Sequence, residues 1–481
     1  MTPYHKQRIE HLKHNNAKLA ERAVNSNKFN PRNETIILLP GGMGTQLNRS
    51  KKSFINNNNF DFNYKKIVWI DIGLFLFKDA KKLVIKKNLH DEDNHIIIPK
   101  GELDIFVKTP YDEAEKYFRD KGYNYISYGF DWRRHITESA DLFHDFLLKF
   151  KSEVINRFGP SRDPLPGTTI LCHSMGGLVA KLFLNKVLNE NSTSADVNKW
   201  MKKLITVATP FQGTSNHIFR YYQGVDLLND FYGMQKICEI SATMYGSYIL
   251  MFHDMNSFKH NNNVLPDEFP TVFPSRDDKT NEPIDPYDQA TMTRYPKWMN
   301  AKFIEESRQI RQKIIKVLSP AVYDHIFHIR ATEKQTATEI FWKRFDRDNF
   351  DPKKHKLSDL FRQGVSFDDG KGDGTVPRWS ARLAEVPNSQ IYECKIAKEH
   401  GSLLEHIEPL KAAEFIIEKG RIPKTHQLKV KKGDIPSPSL ATKKAVNKYL
   451  NGIKSNQFGL DDEINLDPKI WNKIMRESHF C

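Results

Sequence analysis

The stretch "TTILCHSMGGLVAKLFL", Thr168 to Leu184, passes from a short apolar run into a helical pattern through one serine and two glycines. Thr168 to His173 has the length and composition of a buried strand, and Gly176 to Leu188 repeats apolar residues at helical spacing. A serine held at such a joint is the local arrangement of a nucleophile elbow, where small neighbours let the backbone take a strained turn that exposes the serine oxygen. The usual pattern is G-x-S-x-G, and Cys172, also small, stands in place of the first glycine. Taken alone the joint reads equally as a helix cap at Ser174. The surrounding sequence has to decide.

Working outward, the same alternation recurs. Glu34–Pro40, Tyr123–Tyr128, Lys203–Thr209, Tyr323–Arg330 and Ser389–Ile396 read as further short buried strands. Helical stretches at Tyr111–Arg119, Ser139–Phe158 and Ala301–Leu318 fall between several of them. Strand and helix in alternation imply an α/β fold with a mostly parallel central sheet covered by helices on both faces. Functional residues then belong at the carboxyl ends of the strands.

A serine hydroxyl becomes a nucleophile only when a histidine takes its proton, and the histidine needs a carboxylate to fix its tautomer. In this fold the partners follow in the order Ser, Asp or Glu, His. Asp373 in "GKGDGTVP" and His400 in "CKIAKEHGSLLEH" supply that order, with His406 a nearby rival. The alternatives are a turn residue for Asp373 and a helix-start residue for His400; the ordered conjunction favours a triad. Amide donors for an oxyanion are expected from the glycine-rich turn "LLPGGMGTQL", near Met43 between Gly42 and Gly44, and from Met175. A dinucleotide-binding reading of that turn fails because Leu47 stands where a third glycine is needed.

The chain has 481 residues, 39% hydrophobic and 11% aromatic, and a net charge of +14. That balance biases it toward polyanions, either nucleic acid or an anionic membrane face. Four cysteines without metal-site spacing favour reduced thiols. The charged start lacks an apolar run of signal-peptide type, and the most apolar window, Ile67–Phe77, is far shorter than the roughly 20 residues of a membrane span. The expectation is a cytoplasmic protein, at most peripheral to the inner membrane face. "HDEDNH", His90–His95, reads as a solvated hairpin turn rather than a metal site, and "DDGKGDG" lacks the closing Glu of a calcium loop. No metal or cofactor is called for.

The ordered set "LLPGGMGTQL", "VWIDIG", "YGFDWRR", "HSMGGLV", "TVATPFQGT", "GDGTVP" and a following His400 resembles the lecithin:cholesterol acyltransferase-like α/β-hydrolases, which include phospholipases A and acyltransferases. The resemblance implies an α/β-hydrolase fold with Ser174 as nucleophile, Asp373 as triad acid, His400 as base and an oxyanion amide at Met43. It matches Trp69 and Asp71 to a membrane-proximal segment and Asp131, Trp132 and Arg133 to a family element. Read from the residues, Trp69, Phe75 and Phe77 are either interfacial or core strand side chains. Asp131 and Arg133 read as a structural bridge before direct chemistry.

The expected organisation is an N-terminal helical extension (1–33) and a hydrolase domain (34–420) with a membrane-proximal insertion (48–109) and a cap or lid (211–363). A basic C-terminal tail (421–481) follows. The expected function is a serine lipid esterase of phospholipase A type acting on membrane glycerophospholipids. Its partners are a phospholipid surface, a lipid substrate and a regulatory protein, with nucleic acid set aside. Two alternatives stand beside it: an acyltransferase on the same triad, and an inactive basic protein that binds membrane or nucleic acid on a hydrolase scaffold.

Overall fold

Six short runs form one parallel sheet in the computed structural model: β1 (Thr35–Leu39), β5 (Asn124–Ser127), β6 (Thr168–His173), β7 (Lys203–Val207), β9 (Ile326–Ala331) and β14 (Ile391–Cys394). The structure describes residues 2–49, 66–69, 80–86, 89–91, 95–102, 111–215, 234–264, 268–343, 361–365, 367–396, 399–424 and 428. Across the sheet the order is β14, β9, β7, β6, β1, β5, with every neighbouring pair parallel. These are the runs read as strands from the sequence. With helices on both faces, they make the α/β-hydrolase fold.

β1 shows why both faces must be covered, since all of "TIILL" is buried. Ile37 and Leu39 join one cluster with Phe143, Phe146 and Phe150 of α3 (Ile136–Phe158) and Leu178 of α4 (Met175–Val187). Ile36 and Leu38 join the other, with Phe118 of α2 (Asp112–Asp120) and Ala413 and Ile416 of α6 (Ile407–Lys419). Side chains alternate across the strand, so an uninterrupted apolar run needs an apolar partner on each side.

The first helix, α1 (Pro3–Asn25), starts where the Thr2 hydroxyl accepts from the His5 amide, with Pro3 at the first helical position. Its buried residues recur at helical spacing from Tyr4 to Val24. Ala20 and Val24 belong to the same core as α3 and α4. Polar residues are buried among them: Arg8 donates to Glu138 at 2.6 Å and pairs with Asp131 at 3.4 Å, and the Tyr4 hydroxyl donates to Asp91 at 2.7 Å. The helix is docked through charge as much as through apolar contact.

The segment after β1 builds a small antiparallel sheet from β2 (Thr45–Arg49), β3 (Lys66–Trp69) and β4 (Ile97–Glu102), with β2 in the middle. Trp69 is the last residue of β3, in register with Leu47. Asp71, Phe75 and Phe77 lie outside the described residues. The reading of His90–His95 as a solvated turn needs correction. A turn does close there, with the Lys86 amide donating to the His90 carbonyl, but Asp91 is fully buried and faces Arg133 and Arg134. Nothing in the local sequence announces those partners.

The span 211–363 is also more than a single excursion, because β9 returns to the central sheet between β7 and β14. Every residue of "IFHIRA" is buried, as fits a strand with a neighbour on either side. The part before β9 includes β8 (Ser275–Asp277) and α5 (Ala301–Ile314). The part after it contains β10 (Lys334–Gln335), β11 (Glu339–Trp342) and β12 (Phe361–Gly364). β11 lies between β12 and β8, and β10 pairs with β13 (Lys371–Gly372). Arg311 of α5, wholly buried, donates to the carbonyls of Met251 and Phe211 and so fastens this part to the turn after β7. Among the described residues no helix is long and apolar enough to cross a membrane.

Candidate active site

β6 ends at His173, and the next residue turns sharply: Ser174 has φ 50 and ψ −126, a conformation few non-glycine residues adopt. Its amide donates to the Val207 carbonyl at 2.9 Å, which ties the turn to the end of β7. α4 begins at Met175. The two glycines permit that start so close to the sheet, because a Cβ on Gly176 would sit 2.4 Å from the Leu39 carbonyl oxygen and one on Gly177 2.0 Å from the Thr209 hydroxyl. Met43 (φ 64) and Ala208 (φ 51) are likewise left-handed just beyond the ends of β1 and β7. Strained backbone is therefore gathered around one point. Cys172 lies inside β6, where burial pushes its thiol well above the ordinary range.

Asp373 follows β13. Its Oδ1 accepts from the amides of Thr375 (3.0 Å) and Val376 (2.7 Å), and its Oδ2 accepts from Nδ1 of His400 at 2.6 Å. A carboxylate so held has its direction set by the chain itself. Because the carboxylate only accepts, His400 Nδ1 carries the proton, and the neutral ring keeps Nε2 as its acceptor. His400 opens the short helical turn His400–Glu405 after β14, whereas His406 stands at the start of α6. Ser174, Asp373 and His400 are all buried, and the Ser174 hydroxyl has no hydrogen-bond partner.

In the glycine-rich turn, the Gly44 amide closes back on the Gly41 carbonyl at 3.0 Å, with Met43 in the position that favours positive φ. The residue of this loop that lies against the nucleophile is Gly41, where a Cβ would be 3.1 Å from the Ser174 Cβ. Gly42 and Gly44 are buried and Met43 is half-buried. The sequence pattern centres this loop on Met43 and does not single out Gly41.

Asp131, Trp132 and Arg133 stand apart from this constellation. Arg133 donates to both Asp131 oxygens, at 2.9 and 2.7 Å, and to Asp91 at 2.9 Å. Burial alone would raise the Asp91 carboxyl, but the facing guanidiniums of Arg134, Arg133 and Arg8 outweigh it and hold it well below the usual range. Trp132 is buried in the main core, and the Gly246 amide donates to the Arg133 carbonyl. Among the described residues no group of His, Cys, Asp and Glu could hold a metal ion.

A parallel sheet in this order, with a strained serine between its central strand and the following helix, defines the chain as an α/β-hydrolase. Residues 112–302 match the family model described as lecithin:cholesterol acyltransferase. Over 232 residues the chain is 34% identical to phospholipase A(1) LCAT3 of Arabidopsis thaliana, a match covering 42% of this chain and 47% of that protein. The chain thus matches about half the length of this curated relative. The resemblance read from the sequence is borne out over this segment, which carries Ser174 but neither Asp373 nor His400. Solved structures that resemble it include the Tle4–Tli4 complex, at TM-score 0.47 and 12% identity over 81% of this chain and 99% of that one. The mature Bacillus licheniformis lipase BlEst2 is similar at TM-score 0.31 and 11% identity, over 82% and 94%.

Proposed function

We propose that the protein is a serine lipid esterase of phospholipase A type. Ser174 Oγ attacks the acyl carbonyl of a glycerophospholipid, and His400 takes its proton at Nε2. Asp373 keeps the imidazole in the required tautomer and stabilises its charged form. The amide of Met175 at the start of α4, with an amide of the Gly41–Gly44 loop such as that of Met43, receives the oxyanion. The acyl-enzyme is then released to water. The observation that carries this reading is the 2.6 Å contact between His400 and Asp373, close to a serine strained at φ 50 whose hydroxyl is left without a partner. The likeness to a plant phospholipase A(1) supports an acyl ester of a lipid as substrate, and the net charge of +14 supports an anionic bilayer surface. Cys172 and Cys394, both buried and unbridged, support a reducing cytoplasmic setting. With all three side chains buried, access calls for an opening above them, where the cap and a regulatory partner would act.

Labelling with a fluorophosphonate probe tests the nucleophile. A single adduct on Ser174, absent from Ser174→Ala and lost or strongly slowed in His400→Ala, is expected. Vesicles of phosphatidylglycerol and phosphatidylcholine, with and without a long-chain alcohol, then separate the outcomes. Lysophospholipid and free fatty acid report hydrolysis, while an ester of the added alcohol reports transfer. Salt-sensitive vesicle binding with neither an adduct nor products would replace this reading with the binding-protein one.

A further inference from the structure

The residue before the nucleophile, His173, is buried between two polar partners. Its Nε2 lies 3.0 Å from the backbone carbonyl of His400, and its Nδ1 lies 3.1 Å from the hydroxyl of Tyr111. A carbonyl can only accept, so Nε2 carries the ring proton. Burial and then the neighbouring His400 push His173 down to about 3, so the ring is neutral and Nδ1 accepts. Tyr111 therefore donates to Nδ1, and its own oxygen is left to accept the Gly41 amide at 2.8 Å. Every proton in the chain from Gly41 to Tyr111 to His173 to the His400 carbonyl is assigned by chemistry.

Packing follows the same path. A Cβ on Gly44 would meet the Tyr111 hydroxyl at 2.6 Å and its ring at 3.0 Å, so the turn is closed directly over the tyrosine. The His173 and His400 rings lie 4.9 Å apart.

We propose that Tyr111 is a positioning residue of this site, holding the Gly41–Gly44 loop with its ring and hydroxyl and the His400 backbone through the His173 imidazole. Loop and base thereby keep one spacing about Ser174. The inference rests on the esterase reading above, and it adds a residue that reaches the reacting atoms only through its neighbours.

The test is Tyr111→Phe in the full chain, which keeps the ring beneath Gly44 and removes only the hydroxyl. With a short-chain p-nitrophenyl ester, kcat is expected to fall about tenfold while KM changes by less than about twofold. The same substitution placed on His173→Leu is expected to lower kcat by less than it does in the parent, because only the Gly41 contact of the hydroxyl is left to lose. Unchanged kcat, or losses that follow only the folded fraction, would overturn the proposal. If the parent protein takes no fluorophosphonate on Ser174, the esterase reading falls, and the relay is then decided by ring nitrogen shifts of isotope-labelled histidine. A protonated Nε2 on His173, with an Nδ1 signal that moves in Tyr111→Phe, supports the relay, and an Nδ1 signal that stays put overturns it.

Discussion

Two buried polar regions of this molecule are built on opposite terms. Around Asp91, Asp131, Arg8, Arg133 and Arg134, opposite charges are sealed from water and paired with one another, and they lock α1 and the segment before β4 onto the start of α3. Around Ser174 the backbone is strained and the hydroxyl is buried with no partner, while Asp373 and His400 hold each other at 2.6 Å. Leaving a buried polar group unsatisfied costs about 1–3 kcal/mol. The first region spends its polar groups on holding the fold together. The second withholds one for a substrate.

The sharpest break of the comparison lies on the catalytic side. Asp373→Asn is expected to lower kcat by about 10,000-fold, because the amide stabilises the wrong tautomer of His400. The fold should persist, since the side-chain oxygen still accepts from Thr375 and Val376. Steady-state kinetics together with a urea midpoint check both halves.

Arg133→Met should show the reverse pattern. It strands Asp131 and Asp91 beside the remaining arginines and is expected to cost about 3–5 kcal/mol of stability. At low temperature, turnover per folded molecule should stay within about twofold of the parent. Urea unfolding and active-site titration measure the two.

The pH dependence of stability separates the regions further. His11 and His135 are held near 4, and His173 near 3, in each case chiefly by burial. Their ordinary value is about 6.5, so the stability they contribute is complete above that pH and is lost as pH falls toward their native values. The Asp91 and Asp131 carboxyls are lowered from an ordinary value of about 3.9. Their contribution is intact until pH falls below that value. Urea midpoints at about pH 7.5, 5.5 and 4 should therefore decline before the ion network titrates, with a steeper loss below about pH 4 that Asp91→Asn makes shallower.

The smallest effect is expected at Cys172→Gly, which restores the usual first glycine of the elbow. Cys172 pairs along β6 with Leu39 and Thr206 on either side and has no part in the strained turn. A strand interior loses about 1 kcal/mol with glycine, and kcat should stay within about twofold. A large gain in kcat would show that the elbow is compromised by the cysteine.

Much of this was legible in the chain. The six central strands, the joint at Ser174 and the order Ser174, Asp373, His400 each follow from short-range pattern, because burial on two faces demands continuous apolar runs and a tight turn demands small residues. Partner choice was not legible. Asp91 sat in a run of polar residues that read as a solvated turn, and Tyr111 read only as the start of a helix. Their partners lie 42 and 62 positions away in sequence, and the His173 contact to His400 spans 227.

Local physics therefore determined the elements and the chemical types standing at their ends. The tertiary structure decided which histidine meets Asp373, where β9 enters the sheet, and which charges are buried together. Those outcomes depend on desolvation and hydrogen-bond geometry, which come into being only when distant segments share a common interior.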